Sequence, residues 1–431
     1  MACLAVAAAS LTGCGYLRMA AHRQYLKEVR KLRPSQSIAR QVEAERCHTV
    51  YGMVKALGPI RGNLAICAIS YRYGTQDIVA SAFVCGKGYY ALLLPAGQYQ
   101  LVAFSDVNND SVFTADECAG FHYQNPFVEI KRGGPAIIGG FDMYVSDTRV
   151  FTLDQPVSIA LPESFTCNRS SYYPPGAIRS LDDPLFSESV ARAGRYNAAD
   201  FLARSGIYFY ALAERDPRKT PVLFVHGYGG TPRDFRASIA RLDTARYDPW
   251  LFYYPGAQSI SKTADVFYEI FFSNNIIRLG GRRMVIVAHS MGGLVVRRAL
   301  NRSSGAGRAH APIEFISLCT PYGGVAAASA GARQAPSPAP SWSEIASDSE
   351  FIRELPETGL SEAVSFRLFF GYRDESVIRF AENSDGSISL KSQLHPPIQR
   401  QAGEVRGFNE THTSILSSEG MIGALLEAIE Q

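Results

Sequence analysis

One serine in this sequence stands where a protein presents a nucleophile. The apolar run Met284-Val-Ile-Val-Ala288 has the length and β-branched content of a buried strand. It leads through His289 into Ser290, and Met291 to Leu300 then reads as a helix. A strand that turns at once into a helix lifts the intervening side chain clear of the backbone. The turn must be sharp, so the residues two before and two after the serine have to be small. Here they are Ala288 and Gly292. A helix starting at Met291 directs unsatisfied N–H groups and its positive dipole end at the serine, where they favour developing negative charge.

A serine hydroxyl needs a base to become a nucleophile, and the base needs an acid to orient it. In a strand–turn–helix setting the chain order is nucleophile, acid, base. Only two histidines follow Asp385, the candidate acid. His395 precedes Pro396-Pro397 in a stiff loop, while His412 lies in Asn409-Glu-Thr-His412-Thr before the final helical stretch. His412 is therefore the expected base. Asp385, in Asn383-Ser-Asp385-Gly-Ser, is the expected acid, with Asp374 as its rival. A second glycine-rich turn, His226-Gly227-Tyr228-Gly229-Gly230, follows the strand-like Pro221-Val-Leu-Phe-Val225. Its backbone can approach a substrate closely. The N–H groups of Tyr228 and Met291 are the expected donors to an oxyanion. His226 and Gly227 are expected to support that loop rather than to transfer protons.

These residues need a scaffold that brings distant loops together. From residue 219 onward strand-like and helix-like stretches alternate: Pro221–Val225, Trp250–Tyr254, Met284–Ala288, Phe315–Leu318 and Phe366–Phe370 are apolar runs separated by amphipathic segments. Alternation of this kind predicts a mostly parallel sheet with helices on both faces. Residues 46–165 differ, with short apolar runs separated by Gly, Pro, Asn and Asp, and they predict an all-β sandwich. Residues 15–45 read as a helical linker broken at Pro34, and residues 166–205 as a linker without strong periodicity. The second domain is expected over 206–431.

The first fourteen residues form an apolar stretch ending in Leu11-Thr12-Gly13-Cys14. It is too short to span a bilayer. It resembles a bacterial lipoprotein leader whose cysteine is lipidated, although no Lys or Arg precedes Cys14. That resemblance implies a membrane-anchored protein of the bacterial cell envelope, where disulfides can form. Beyond Cys3 and Cys14, the thiols are Cys47, Cys67, Cys85, Cys118, Cys167 and Cys319, and sequence fixes no pairing.

Taken together, the H-G-Y-G-G loop, the A-H-S-M-G-G turn, Thr320-Pro-Tyr-Gly-Gly324, the Ser-Asp-Gly acid loop and the Thr-His-Thr segment make residues 219–431 similar to the α/β-hydrolase lipase superfamily. The likeness is greatest to its PGAP1-like and triacylglycerol lipase-like members. It implies an α/β hydrolase with a Ser290–Asp385–His412 triad, an acyl-enzyme intermediate and no cofactor in catalysis. It further implies a lid at about 322–360, with Trp342, Ile345, Phe351, Ile352 and Leu355 as its apolar residues. The substrate class so implied is an acyl lipid or other carboxylic ester. Acyl transfer, or thioester or amide cleavage, on the same triad is the first alternative. A non-catalytic envelope scaffold is the second. In the first domain, the stretch Leu94-Pro-Ala-Gly-Gln-Tyr-Gln-Leu-Val-Ala-Phe104, read as a hairpin, resembles prealbumin-like sandwiches.

Two further features bear on partners. Asp106, Asn108, Asp110, the carbonyl of Val112, and Glu117 have the spacing of a calcium-binding loop, with Ser111 where such loops carry glycine. The alternative is a turn rich in Asp and Asn with solvated acids. A net charge of +3, with the basic residues spread out, gives no nucleic-acid footprint. No C-x-x-C or H-E-x-x-H occurs, so sequence offers no zinc motif.

Overall fold

A computed structural model of the chain describes residues 13–32, 35–42, 46–71, 76–122, 127–146, 156–162, 165, 176–205, 208–274, 276–305, 311–335, 338–373 and 383–431. Residues 1–12, Cys167 and the alternative acid Asp374 lie outside them. Two compact units emerge: Ala21–Ile178 with Leu202–Tyr208, and Arg179–Phe201 with Phe209–Gln431.

Two helices open the described chain, Gly13–Leu32 and Gln36–Val42, and they part on either side of Pro34. The first is 20 residues long and already includes Cys14. No described helix is long and apolar enough to cross a membrane.

The N-terminal unit is strand-rich, consistent with a β-sandwich. Its strands follow the order Asp77–Val84, Leu64–Ser70, Gly97–Ser105, Cys118–His122, Met143–Val145, His48–Ala56, Gly88–Leu94. Period-2 alternation on Leu64–Ser70 feeds two cores. Leu64, Ile66 and Ala68 pack with Val50, Leu92 and Leu101. Ala65, Cys67 and Ile69 pack on the other face with Val102, Phe104 and Phe113. The stretch from Leu94 to Phe104 is not a hairpin. Gly88–Leu94 pairs with His48–Ala56, whereas Gly97–Ser105 pairs with Leu64–Ser70 and Cys118–His122. Alternation fixes which face a residue takes but not which strand it pairs with. Cys85 is disulfide-bonded, and Cys67 and Cys319 carry free thiols.

The C-terminal unit has the α/β-hydrolase fold. Its strands are β1 (Phe209–Ala211), β2 (Thr220–Val225), β3 (Tyr247–Phe252), β4 (Met284–His289), β5 (Ile313–Leu318), β6 (Val364–Tyr372) and β7 (Glu404–Asn409). They stand side by side in the order β1-β3-β2-β4-β5-β6-β7. Only β1 is antiparallel to its neighbour; from β3 to β7 every pairing is parallel. Strands β4 and β5 are buried at every residue; in β4 this shows as the apolar run Met284–Ala288, while β5 also buries Glu314 and Ser317.

The helices that concern the site are α1 (Ile260–Phe271), α2 (Met291–Gly305), α3 (Ala326–Gln334), α4 (Pro340–Ile345), α5 (Glu350–Glu354) and α6 (Glu419–Glu430). Phe351, Ile352 and Leu355, expected among the apolar residues of a lid, are buried. The segment read as a linker supplies Arg179–Phe201 to this unit, and Phe186 packs edge-on against Tyr210 and Tyr253.

Strand order reverses at β2: the chain passes first to β3 on one side, then to β4 on the other. A crevice forms at such a point beyond the C-terminal ends of the strands. Val225 pairs with Ala288, His289 with Leu318, Leu318 with Phe369, and Tyr372 with Asn409. The loops after β2, β4, β5, β6 and β7 therefore leave one edge of the sheet together.

Candidate active site

Ser290 sits between β4 and α2 with φ 53°, a left-handed backbone that few residues other than glycine adopt. Such strain is held at functional sites by the surrounding structure. Here the holding is visible. The Ser290 N–H donates to Leu318 O at 2.8 Å, and Ser290 O accepts from the Gly293 N–H at 2.9 Å. A Cβ on Gly292 would stand 2.6 Å from the carbonyl oxygens of Val225 and His226, so the turn closes only with glycine there.

The structure brings the three expected catalytic side chains together. Ser290 Oγ lies 2.9 Å from His412 Nε2, and His412 Nδ1 lies 2.7 Å from Asp385 Oδ2. The other carboxylate oxygen, Oδ1, accepts the backbone N–H groups of Ser387 at 2.9 Å and Ile388 at 2.7 Å. Asp385 is wholly buried, and the His412 side chain is 15% exposed. A buried carboxylate with hydrogen bonds on both oxygens is held in one orientation. Gln393 fastens this loop to β6: its Oε1 accepts the Gly371 N–H, and its Nε2 donates to Gly371 O and Ile388 O, all at 3.1 Å.

His226 lies beside the nucleophile but faces away from proton transfer. Its Nδ1 donates to Gly227 O at 2.7 Å, and its Nε2 accepts the Tyr254 N–H at 3.2 Å. Its ring stacks on Tyr254 at 4.4 Å. Both nitrogens are used in the neutral form, and burial pushes the imidazole down to about 4. A Cβ on Gly227 would come 2.8 Å from Ser290 Cβ, so this glycine is what lets the loop lie against the nucleophile. Tyr228 follows it. Met291 opens α2, and an N–H in the first helical turn has no acceptor within its own helix. His395, the other downstream histidine, immediately precedes the short helix Pro396–Gln399 and makes no side-chain capping bond to it.

Three residues in and around this site, His289, Glu344 and Cys319, are given no role by the motifs, and Trp342 reads only as an apolar residue of the 322–360 segment. His289 is buried and donates from Nε2 to His412 O at 2.8 Å. Burial, and then the neighbouring His412, push its imidazole down to about 3. On α4, Trp342 Nε1 donates to Tyr228 Oη at 2.9 Å, and Tyr228 Oη donates to Arg195 O at 3.0 Å. Glu344 accepts from Ser259 Oγ at 3.0 Å and from the N–H groups of Ile260 and Ser261, capping α1. Cys319, with φ 50°, sits at the end of β5 beside the acid. Its position at a strand's C-terminal end was the one available clue.

His226 and His289 make stability pH-dependent. Both take up protons in the unfolded chain near their ordinary 6.5, but in the folded protein only near 4 and 3. The unfolded state then binds more protons between those values, so stability rises with pH. It is fully present above about 6.5 and is lost as pH falls, at roughly 1.4 kcal/mol per pH unit for each histidine. Thermal melts from pH 7 to pH 4 are expected to show Tm falling throughout. A His289→Asn variant is expected to show a shallower fall, and parallel slopes would contradict the assignment.

In the first unit, the candidate calcium residues fold onto their own loop. Asp106 Oδ1 and Oδ2 accept the N–H groups of Asp110 and Ser111, Asn108 Oδ1 accepts that of Asp110, and Asp110 Oδ1 accepts that of Val112. Glu117 Oε1 accepts the Val107 N–H. Ser111 has φ 63°, so serine holds the left-handed turn where glycine was expected.

Residues 222–401 match the model of the Alpha/beta hydrolase family. No curated protein sequence matches the chain. Among solved structures, the Bacillus licheniformis lipase BlEst2 in mature form is 16% identical with a TM-score of 0.40, the match covering 51% of this chain and 97% of that one. Aspergillus fumigatus lipase B is 15% identical with a TM-score of 0.39, over 54% of this chain and 57% of the other. The phospholipase PlaB of Legionella pneumophila is 16% identical with a TM-score of 0.34, over 41% and 45%.

Proposed function

We propose that this chain is a serine hydrolase of carboxylic esters that acts on acyl lipids through Ser290, His412 and Asp385. The observation that carries this reading is the unbroken line of hydrogen bonds from Ser290 Oγ through both His412 nitrogens to Asp385. His412 Nε2 takes the Ser290 proton as Oγ attacks the ester carbonyl. Asp385 holds the imidazole in the tautomer with Nε2 free and stabilises the cation that forms. The N–H groups of Met291 and Tyr228 receive the oxyanion, the first with the dipole of α2 behind it. His412 returns its proton to the leaving alcohol, and water then releases the acyl group from Ser290.

The lid region and the oxyanion loop belong to the same proposal. Trp342 on α4 holds the Tyr228 side chain, so a lid that moves carries the oxyanion loop with it. The leader supports a membrane anchor at Cys14 and a place in the bacterial cell envelope, which brings an acyl lipid to the site.

Labelling with a fluorophosphonate, and acyl-ester and phospholipid turnover by the chain lacking residues 1–15, test the reading. Labelling at Ser290 and release of fatty acid are expected, with palmitate incorporation at Cys14 in the full chain. A folded protein that neither labels nor releases fatty acid would sink the enzymatic reading.

A further inference from the structure

We propose that Cys319, Asp385 and His412 form a binding site for zinc whose occupation switches the hydrolase off. The inhibitory consequence rests on the triad proposed above; the site itself rests on geometry.

One ligand atom from each of the three residues lies within 4.8 Å of the other two. Thiolate, imidazole and carboxylate together are a zinc donor set, and catalytic zinc sites use three protein ligands with a fourth position open. Zinc takes sulfur at about 2.3 Å and nitrogen or oxygen at about 2.0–2.2 Å, so small side-chain movements close the three donors on one ion. Cys319 and Asp385 are wholly buried, and His412 keeps a solvent-facing edge through which an ion enters.

The backbone at Cys319 supports the assignment independently. A φ of 50° places a Cβ in the left-handed region that residues other than glycine rarely adopt. The strand geometry would be met by glycine, since the Cys319 N–H donates to Phe369 O at 2.9 Å whatever the side chain. What the strained residue adds is a sulfur against Gly371 and the acid. Strain of this kind points to a role at the site.

Zinc binding would undo the catalytic arrangement in a defined way. The thiol gives up its proton to solvent. His412 Nδ1 gives its lone pair to the metal, so the single ring proton moves from Nδ1 to Nε2. Nε2 then faces Ser290 as a donor. The Ser290 hydroxyl loses its acceptor, and attack on an ester stops. Asp385 turns from orienting the imidazole to ligating the ion.

The test uses the full chain with zinc, and separately with cobalt as a spectroscopic probe. Low-micromolar zinc is expected to slow fluorophosphonate labelling of the wild type, with recovery on chelation. Cys319→Ala, compared with its own metal-free rate, should need about 100-fold more zinc for the same effect, or more still, given what loss of outer-shell partners alone costs. Cobalt is expected to give a thiolate charge-transfer band in the wild type that is absent from Cys319→Ser, which keeps the shape of cysteine if the alanine variant folds poorly. Equal zinc sensitivity with and without the thiol, or a cobalt band unchanged in Cys319→Ser, overturns the proposal. A wild type that labels but ignores zinc leaves the triad standing and removes the metal site. A wild type that never labels yet shows the Cys319-dependent band does the reverse.

Discussion

Replacing Ser290 by alanine is expected to lower ester turnover by about a millionfold and to abolish fluorophosphonate labelling. Replacing His412 by alanine should cost about as much, and the double variant little more, because residues that act as one unit are not additive. The reason is in the geometry. Ser290 Oγ has His412 Nε2 at 2.9 Å as its proton acceptor, and without either partner no alkoxide equivalent forms. The proposed oxyanion donors, the N–H groups of Tyr228 and Met291, are untouched in both variants, so a residual rate of about 10³–10⁴ over water is expected to survive. Binding of a non-hydrolysable substrate analogue should be nearly unchanged in Ser290→Ala. If the two single losses multiplied in the double variant, Ser290 and His412 would be acting separately and the triad would be wrong.

Asp385→Asn is expected to lower kcat by about 10⁴ while leaving the fold intact. The amide is the size of the carboxylate. Its oxygen can keep the hydrogen bonds from Ser387 and Ile388, which leaves its NH₂ facing His412 Nδ1. Nδ1 must then accept, the ring proton moves to Nε2, and the base points a hydrogen at Ser290. A melting temperature close to wild type with activity lost would locate the effect in the tautomer. Activity within tenfold of wild type would instead return the acid role to another residue, with Asp374 first in line.

Much of the site was legible because its geometry is imposed locally. A strand, a sharp turn with small flanking residues and a helix can be read within ten residues, and so can Ser290. His412 and Asp385 were legible from chain order and from their loops. Other parts depend on contacts between distant segments, which periodicity does not carry. Gln393 is an ordinary polar residue in sequence, yet it ties the acid loop to β6 through three hydrogen bonds. Glu344 lies 85 residues from the Ser259 hydroxyl it accepts from. In the first unit, short apolar runs marked Leu94–Phe104 as strand-forming and suggested a hairpin, but the partner strands were decided by packing across two cores.

The setting of His412 has a thermodynamic consequence. Its backbone N–H donates to Asp385 O at 2.9 Å, its carbonyl accepts from His289, and its two ring nitrogens are taken by Asp385 and Ser290. Main chain and side chain are both held, twice by the same aspartate. The rotational freedom of this imidazole is thus surrendered when the chain folds and not again at each turnover. A base held in this way has no loosened intermediate condition in which it works at reduced efficiency. As temperature rises, the rate should keep climbing until the loops that grip the ring let go together, and then collapse with the fold.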